Sequence, residues 1–298
     1  MRVDSRTLSW LYSVYFLDEN TGWIAGSRGT LLHSTDAGKT WIQAKKFTED
    51  NISDVYFSDA KNGWLLCDNT SQKNGGMPAS YLLRTADGGS VWERVAFSDS
   101  QDKLVRFVFS RDGYGYAVGE GGGIWQMLDD KKSWKRVALP VRYLILGGWL
   151  IDDFNGILVG GGGTILFTND GGVQWNAATL PEKSNNRFNS VYFTNQKLGW
   201  TVGAGGKVYF TSNGGRAWHA QESGIMEDLY DVSFLDMNKG YAVGDGGTII
   251  RTTNGGNAWA PDNSGVEGRL ERVVFKGKRG FAVGFGGIIL TTDQASNP

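Results

Sequence analysis

The chain has 298 residues and a formal net charge of −1, with 30 Lys and Arg against 31 Asp and Glu. That balance removes any global electrostatic case for nucleic acid or an anionic membrane surface as partner. The 44 glycines and 12 tryptophans describe a folded, turn-rich chain, while one cysteine and two histidines leave no internal disulfide, no Cys-based zinc set and no expected cofactor.

The amino terminus, Met1-Arg2-Val3-Asp4-Ser5-Arg6, carries no apolar h-region, so no signal peptide is expected in this chain. The first unit runs through Leu11 to Phe16, Gly22-Trp23-Ile24-Ala25-Gly26, a glycine turn and Ser34-x-Asp36-x-Gly38-x-x-Trp41. The second repeats it with Phe57, Trp64, Asp87 and Trp92, and adds an insertion over 68–80. The third has Phe109, Tyr116 and Trp134 but retains only Asp129 of its turn motif, and the fourth has Leu150, Asp170 and Trp175. In the fourth, the apolar run Tyr143 to Ile151 spans 9 residues and contains Gly147 and Gly148, against about 20 needed to cross a membrane. The fifth and sixth carry Phe193 and Phe234, with Asn213-Trp218 and Asn254-Trp259 replacing the aspartate form. The seventh has Phe275 and Phe281 and stops near Asp293, without a tryptophan-bearing last strand.

A repeat near 41 residues, with turn signals every 8 to 12 residues and no helical periodicity, predicts four-stranded propeller blades. Each unit supplies strands A to D. In strand A of the sixth unit the apolar positions are Leu229, Val232 and Phe234, and strand-B aromatics such as Trp23, Trp200 and Tyr241 are core. The expected fold is all-β, one seven-bladed β-propeller over residues 1–298. Its last blade is closed by the N-terminal strand, because Arg2-Val3 matches Arg94-Val95 in the second unit, with Met1 near the missing tryptophan.

The Ser/Thr-x-Asx-x-Gly-x-x-Trp turn is the Asp-box, or BNR, motif, with structural residues Asp36, Asp87, Asp170, Asn213, Asn254, Trp41, Trp92, Trp175, Trp218 and Trp259. The Asx side chain accepts bonds from the amides of its own turn, glycine tolerates positive φ, and tryptophan covers the hairpin. Combined with the strand-B pattern Gly-aromatic-x-Val-Gly-x-Gly-Gly-x-Ile, as in Gly240 to Ile249, the sequence resembles the photosystem II stability/assembly factor family over essentially the whole chain. The resemblance implies a non-enzymatic protein-binding scaffold, exported to the thylakoid lumen or periplasm, that helps assemble a membrane protein complex. The implied partner is a protein, such as an extended segment of a membrane protein, bound by a monomer that does not itself span the membrane. The photosynthetic members tend to carry an arginine-rich patch, whereas this chain has no Arg-Arg pair.

The alternative is a glycan-binding or sialidase-like Asp-box propeller. A sialidase needs an arginine trio, a Tyr nucleophile with a Glu neighbour and an Asp acid/base. Arg106, Arg142, Arg187, Arg269 and Arg272 lie near the starts of strand A, but no Arg-Ile-Pro signature exists. His33 and His219 fall on strand C and on an outer strand, where neither completes a triad. The glycine runs lack the helix a phosphate loop requires, and the acidic turns at Asp18 and Asp152 are solvated hairpins.

The remaining candidate is the face shared by B–C turns and D–A connections. Arg28, Glu120, Asp245 and Phe285 are expected at equivalent B–C positions. Asp54, Arg106, Asp231 and Arg272 stand three residues before the end of strand A, where neighbouring-blade pairs Asp54–Arg106 and Asp231–Arg272 would fix the ring. With Arg142, Arg187 and Arg269 these form the candidate partner-binding face.

Overall fold

Inter-blade burial explains the repeat. In the computed structural model, which describes residues 1–70, 79–95, 103–110, 112–181 and 185–293, there are seven four-stranded antiparallel sheets. Each forms one blade of a seven-bladed propeller. Its inner strand A (Leu11–Phe16 in blade 1, Leu229–Phe234 in blade 6) leads through B and C to a short outer strand D. Seven apolar clusters fill the seven spaces between blades, including the one between blades 7 and 1. The strand-B aromatic of one blade stacks on the strand-A phenylalanine of the next. Trp23 lies 3.8 Å from Phe57, Trp200 lies 3.8 Å from Phe234, and Phe281 continues the series across the closure at 4.6 Å from Phe16.

The closure follows the expected register. Arg2 pairs with Leu290 and Val3 with Ile289, just as Arg94 pairs with Leu83 and Val95 with Leu82 in blade 2. Met1 faces Thr291 through two 2.8 Å backbone bonds, one position past the tryptophan site. The blade 2 insertion is a hairpin connection whose ends, Asp68 and Ser80, are cross-strand partners, while its residues 71–78 lie outside the described residues.

Five Asp-boxes share one geometry. The Ser or Thr hydroxyl accepts from the glycine amide four residues on, at 2.8–3.1 Å, in Ser34–Gly38, Thr85–Gly89, Thr168–Gly172, Thr211–Gly215 and Thr252–Gly256. Trp41, Trp175, Trp218 and Trp259 are buried, and Trp92 is half-buried. Blade 3 departs from expectation: Asp130, not Asp129, caps the turn, accepting from the amides of Lys132 and Ser133. Lys131 there adopts φ 52°, the conformation that glycine provides in the intact boxes.

These turns make stability acid-sensitive. The hydroxyl and amide of Thr40 hold the Asp36 carboxyl at about 2, below its ordinary 3.8. The folded state therefore binds fewer protons, so this stabilisation is complete above the ordinary value and disappears as pH falls through about 4 toward 2. Asp36→Asn is expected to leave the melting temperature at pH 7 nearly unchanged, because Asn213 and Asn254 accept the same amide bond at 3.0 and 2.9 Å. It should flatten the acid limb of a melting-versus-pH curve; an unaltered limb contradicts the assignment.

Candidate functional site

In six blades the first residue after strand B donates its amide to the carbonyl of the residue before strand A. Glu120 to Lys103, Asp245 to Asp228 and Phe285 to Arg269 are examples at 2.8–3.0 Å. These bonds bring the B–C turns and D–A connections to one face. Strand register corrects one assignment: Ser27, not Arg28, is equivalent to Glu120, Asp245 and Phe285. Arg28 occupies the following position at φ 56°, where the other blades place glycines such as Gly121, Gly246 and Gly286, and its side chain is exposed.

At the centre of this face lies a cup of about 390 Å³. Each inner strand slips register once against strand B, leaving Tyr12, Ser53, Val105, Leu146, Asn189, Tyr230 and Glu271 without a direct cross-strand partner. A β-bulge re-aims a side chain, and all seven of these residues line the cup. Sequence reasoning missed this ring. The signal was the spacing of Leu229, Val232 and Phe234: an unbroken strand repeats its buried positions every second residue, and the first interval here is three.

The residues after the bulges form the floor. Asp54 accepts from Ser13 Oγ, the Phe107 amide at 2.8 Å and the Val55 amide at 3.0 Å, and Asp231 accepts from Ser190 Oγ and the Val273 amide at 3.0 Å. Each carboxylate thus ties its own blade to both neighbours. The ion pairs differ from the expected ones. Arg106 lies 3.7 Å from Asp231, three blades away across the channel, and Arg272 lies 3.6 Å from Asp54, two blades away. The arginine side chains are long enough to cross the narrow end of the ring, while the backbone amide of the next blade already holds the neighbouring carboxylate. Burial pushes both carboxyl pKa values up, opposed by these hydrogen-bond donors and, at both carboxylates, by the charge of Arg106.

Around the wall, Arg187 Nη2 donates to Asp228 at 2.6 Å, and Arg269 Nε lies 3.0 Å from Glu271 and 3.8 Å from Asp245. The Arg269 guanidinium stacks 3.6 Å from the Tyr230 ring centre. Asp245 accepts from Tyr230 Oη at 3.0 Å, and Lys103 stands 3.9 Å from Asp68. Of the sequence candidates, Arg106, Arg187, Arg269 and Arg272 line the cup, Asp54 and Asp231 underlie it, and Asp245 sits at its edge. Phe285, half-exposed against Trp10, borders a separate shallow depression with Arg2, Val266 and Ile288. Arg28, Glu120 and Arg142 are exposed and do not line the cup.

The sialidase chemistry outlined above does not fit this arrangement. Among the described residues, every arginine lining the cup faces a carboxylate of the chain itself, so none of them is free to form a trio for a substrate carboxylate. Burial, together with the charges of Asp68 and Glu271, raises the Tyr12 hydroxyl pKa. Burial and the Asp245 bond push Tyr230 up to about 12. A nucleophilic tyrosine requires the opposite shift. Asp54 and Asp231 are held by backbone amides rather than open to a substrate. His33 stacks on Trp23 and His219 is exposed on an outer strand, both away from the cup.

A family model described as Photosynthesis system II assembly factor YCF48 matches residues 2–72, 126–222 and 216–297. The chain belongs to this family. A photosystem II assembly lipoprotein Ycf48 of Synechococcus sp. (strain CC9902) is 26% identical over 215 residues, covering 58% of this chain and 63% of the relative. The chain thus matches somewhat less than two thirds of that relative's length. The solved YCF48 from Cyanidioschyzon merolae superposes with a TM-score of 0.79 at 22% identity, covering 100% of this chain and 99% of that one. A YCF48 structure bound to a D1 peptide gives 0.78 at 19% identity over 98% of this chain and 94% of that one. A virginiamycin B lyase from Staphylococcus aureus gives 0.78 at 11% identity over 97% and 96%, so the same fold also serves an enzyme. At these identities the structural likeness speaks to fold.

Proposed function

We propose that this YCF48-family chain is a non-enzymatic assembly factor that holds an extended segment of a membrane protein in the cup at the centre of its loop face. The observation that carries the reading is the internal pairing of the four arginines in the cup: a recess whose guanidinium groups already face carboxylates of the chain suits reversible binding and offers no activated group for catalysis. The solved YCF48 bound to a D1 peptide supports a protein segment as ligand, and the lipoprotein relative supports an exported location at a membrane surface. Among the described residues no helix is long and apolar enough to cross a membrane. The partner face comprises Arg106, Arg187, Arg269 and Arg272 with the seven bulge residues, and Arg28, Glu120, Arg142, Asp245 and Phe285 form its surroundings.

The test places a photo-crosslinking residue at Leu146 in the cup or at Val173, which is 79% exposed in an Asp-box turn on the opposite face. Incubation with detergent-solubilised host membranes should crosslink the Leu146 protein to a defined polypeptide segment and leave the Val173 protein bare. Equal labelling from both positions, or labelling only of glycan on a carbohydrate array, overturns the proposal.

A further inference from the structure

The seven blades are an internal alignment, and at the bulge position they agree little. The preceding residue is Leu, Ile or Phe in every blade, whereas the bulge itself is Tyr, Ser, Val, Leu, Asn, Tyr or Glu. The fold therefore demands a buried apolar anchor and leaves the residue facing the cup almost unconstrained. That freedom divides the cup unequally. Blades 6, 7 and 1 contribute Tyr230, Arg269 and Glu271, joined by a stack and an ion pair, and Tyr12, whose ring packs 5.7 Å from that of Trp10. Blades 3 and 4 contribute Val105, Leu144 and Leu146, all half-buried and without polar atoms in their side chains, while the two cations of blade 3, Lys103 and Arg106, are turned to Asp68 and Asp231.

We infer that the apolar arc of Val105, Leu144 and Leu146 is the specificity-determining subsite for an aliphatic side chain of the bound segment, with Leu146 at its centre. This inference rests on the peptide-binding reading above. The charged groups across the cup already face opposite charges within the chain, so a ligand charge must compete with pairs such as Arg187–Asp228 and Arg269–Glu271. The arc has no such partner. A ligand gains there by removing apolar surface from water, and the cup's volume of about 390 Å³ lies within the range of side-chain and small-ligand pockets.

The repeat supplies substitutions that the backbone accommodates. Leu146→Glu places at this bulge the residue type of Glu271, and Leu146→Tyr the type of Tyr12 and Tyr230. A phage-displayed random heptapeptide library is selected against immobilised wild type and both variants, after melting curves show each variant folded. Wild type should enrich peptides with Leu, Ile, Val or Met at one fixed position. The best such peptide should bind Leu146→Glu about 10- to 100-fold more weakly, the ratio for exposing one buried aliphatic side chain, and Leu146→Tyr should select a different residue at that position. Enriched peptides without a fixed aliphatic position, or the same preference in all three proteins, overturn the subsite and leave the peptide reading intact. If wild type retains no peptide at all, the peptide reading falls and the subsite falls with it.

Discussion

Asp54→Ala is expected to lower the folding free energy by about 3–5 kcal/mol, the range found when one member of a buried charge pair is removed. Asp54 is fully enclosed and collects Ser13 from blade 1, the Phe107 amide from blade 3 and Arg272 from blade 7. Its loss leaves a buried guanidinium and a buried amide without acceptors, at the point where four blades meet. Asp231→Ala should behave similarly, since Ser190, Val273 and Arg106 depend on it. Arg272→Ala should cost less, about 1–3 kcal/mol, because Asp54 then still accepts three hydrogen bonds. Urea unfolding of the three variants measures this. A loss below about 1 kcal/mol for both aspartates would show that the floor is a solvated mouth available to a partner rather than a clasp.

The second large effect concerns Gly203, the last residue of strand B in blade 5. A Cβ added there would stand 1.9 Å from the Arg187 carbonyl oxygen, a backbone atom that no rotamer change can move. Gly203→Ala should therefore cost about 3 kcal/mol, at the upper end of overpacking penalties. It should also break the 2.9 Å bond from the Ala204 amide to Arg187 and displace the Arg187–Asp228 pair from the cup wall. Gly205→Ala is the matched control. Its Cβ meets nothing within 4 Å, and only its φ of +64° is unfavourable, so about 1 kcal/mol is expected. Equal urea midpoints for the two variants would remove the close-approach argument. Blade 2 shows what relaxes the demand. Cys67 occupies the glycine position there, and the strands pair one residue further, Asn51 with Asp68, the first residue of the insertion.

The fold was legible because its signals are local and repeated. Asx turns, glycines at positive φ and an aromatic in strand B recur at a fixed spacing, and each acts within one hairpin or on the adjacent blade. The missing seventh tryptophan strand pointed to closure by Arg2-Val3 because an unpaired inner triplet of strands needs an edge partner. The same locality misled at two points. Arg28 looked equivalent to Glu120 until strand register counted one residue more, and Asp129 held the motif position while Asp130 made the bonds.

By itself the sequence determined the number of blades, their strand content, the closing strand and which turns gather on one face. All of these follow from periodicity, which needs no knowledge of which residues meet across the ring. Only the tertiary structure decided how the central charges pair. Neighbouring positions in the repeat suggested Asp54–Arg106 and Asp231–Arg272, whereas ring closure brings Arg106 to Asp231 and Arg272 to Asp54. The physical reason is distance in space rather than along the chain. At the narrow axis of a propeller, blades two and three apart come within reach of an arginine side chain, and seven bulges that are remote in sequence become the wall of one cup.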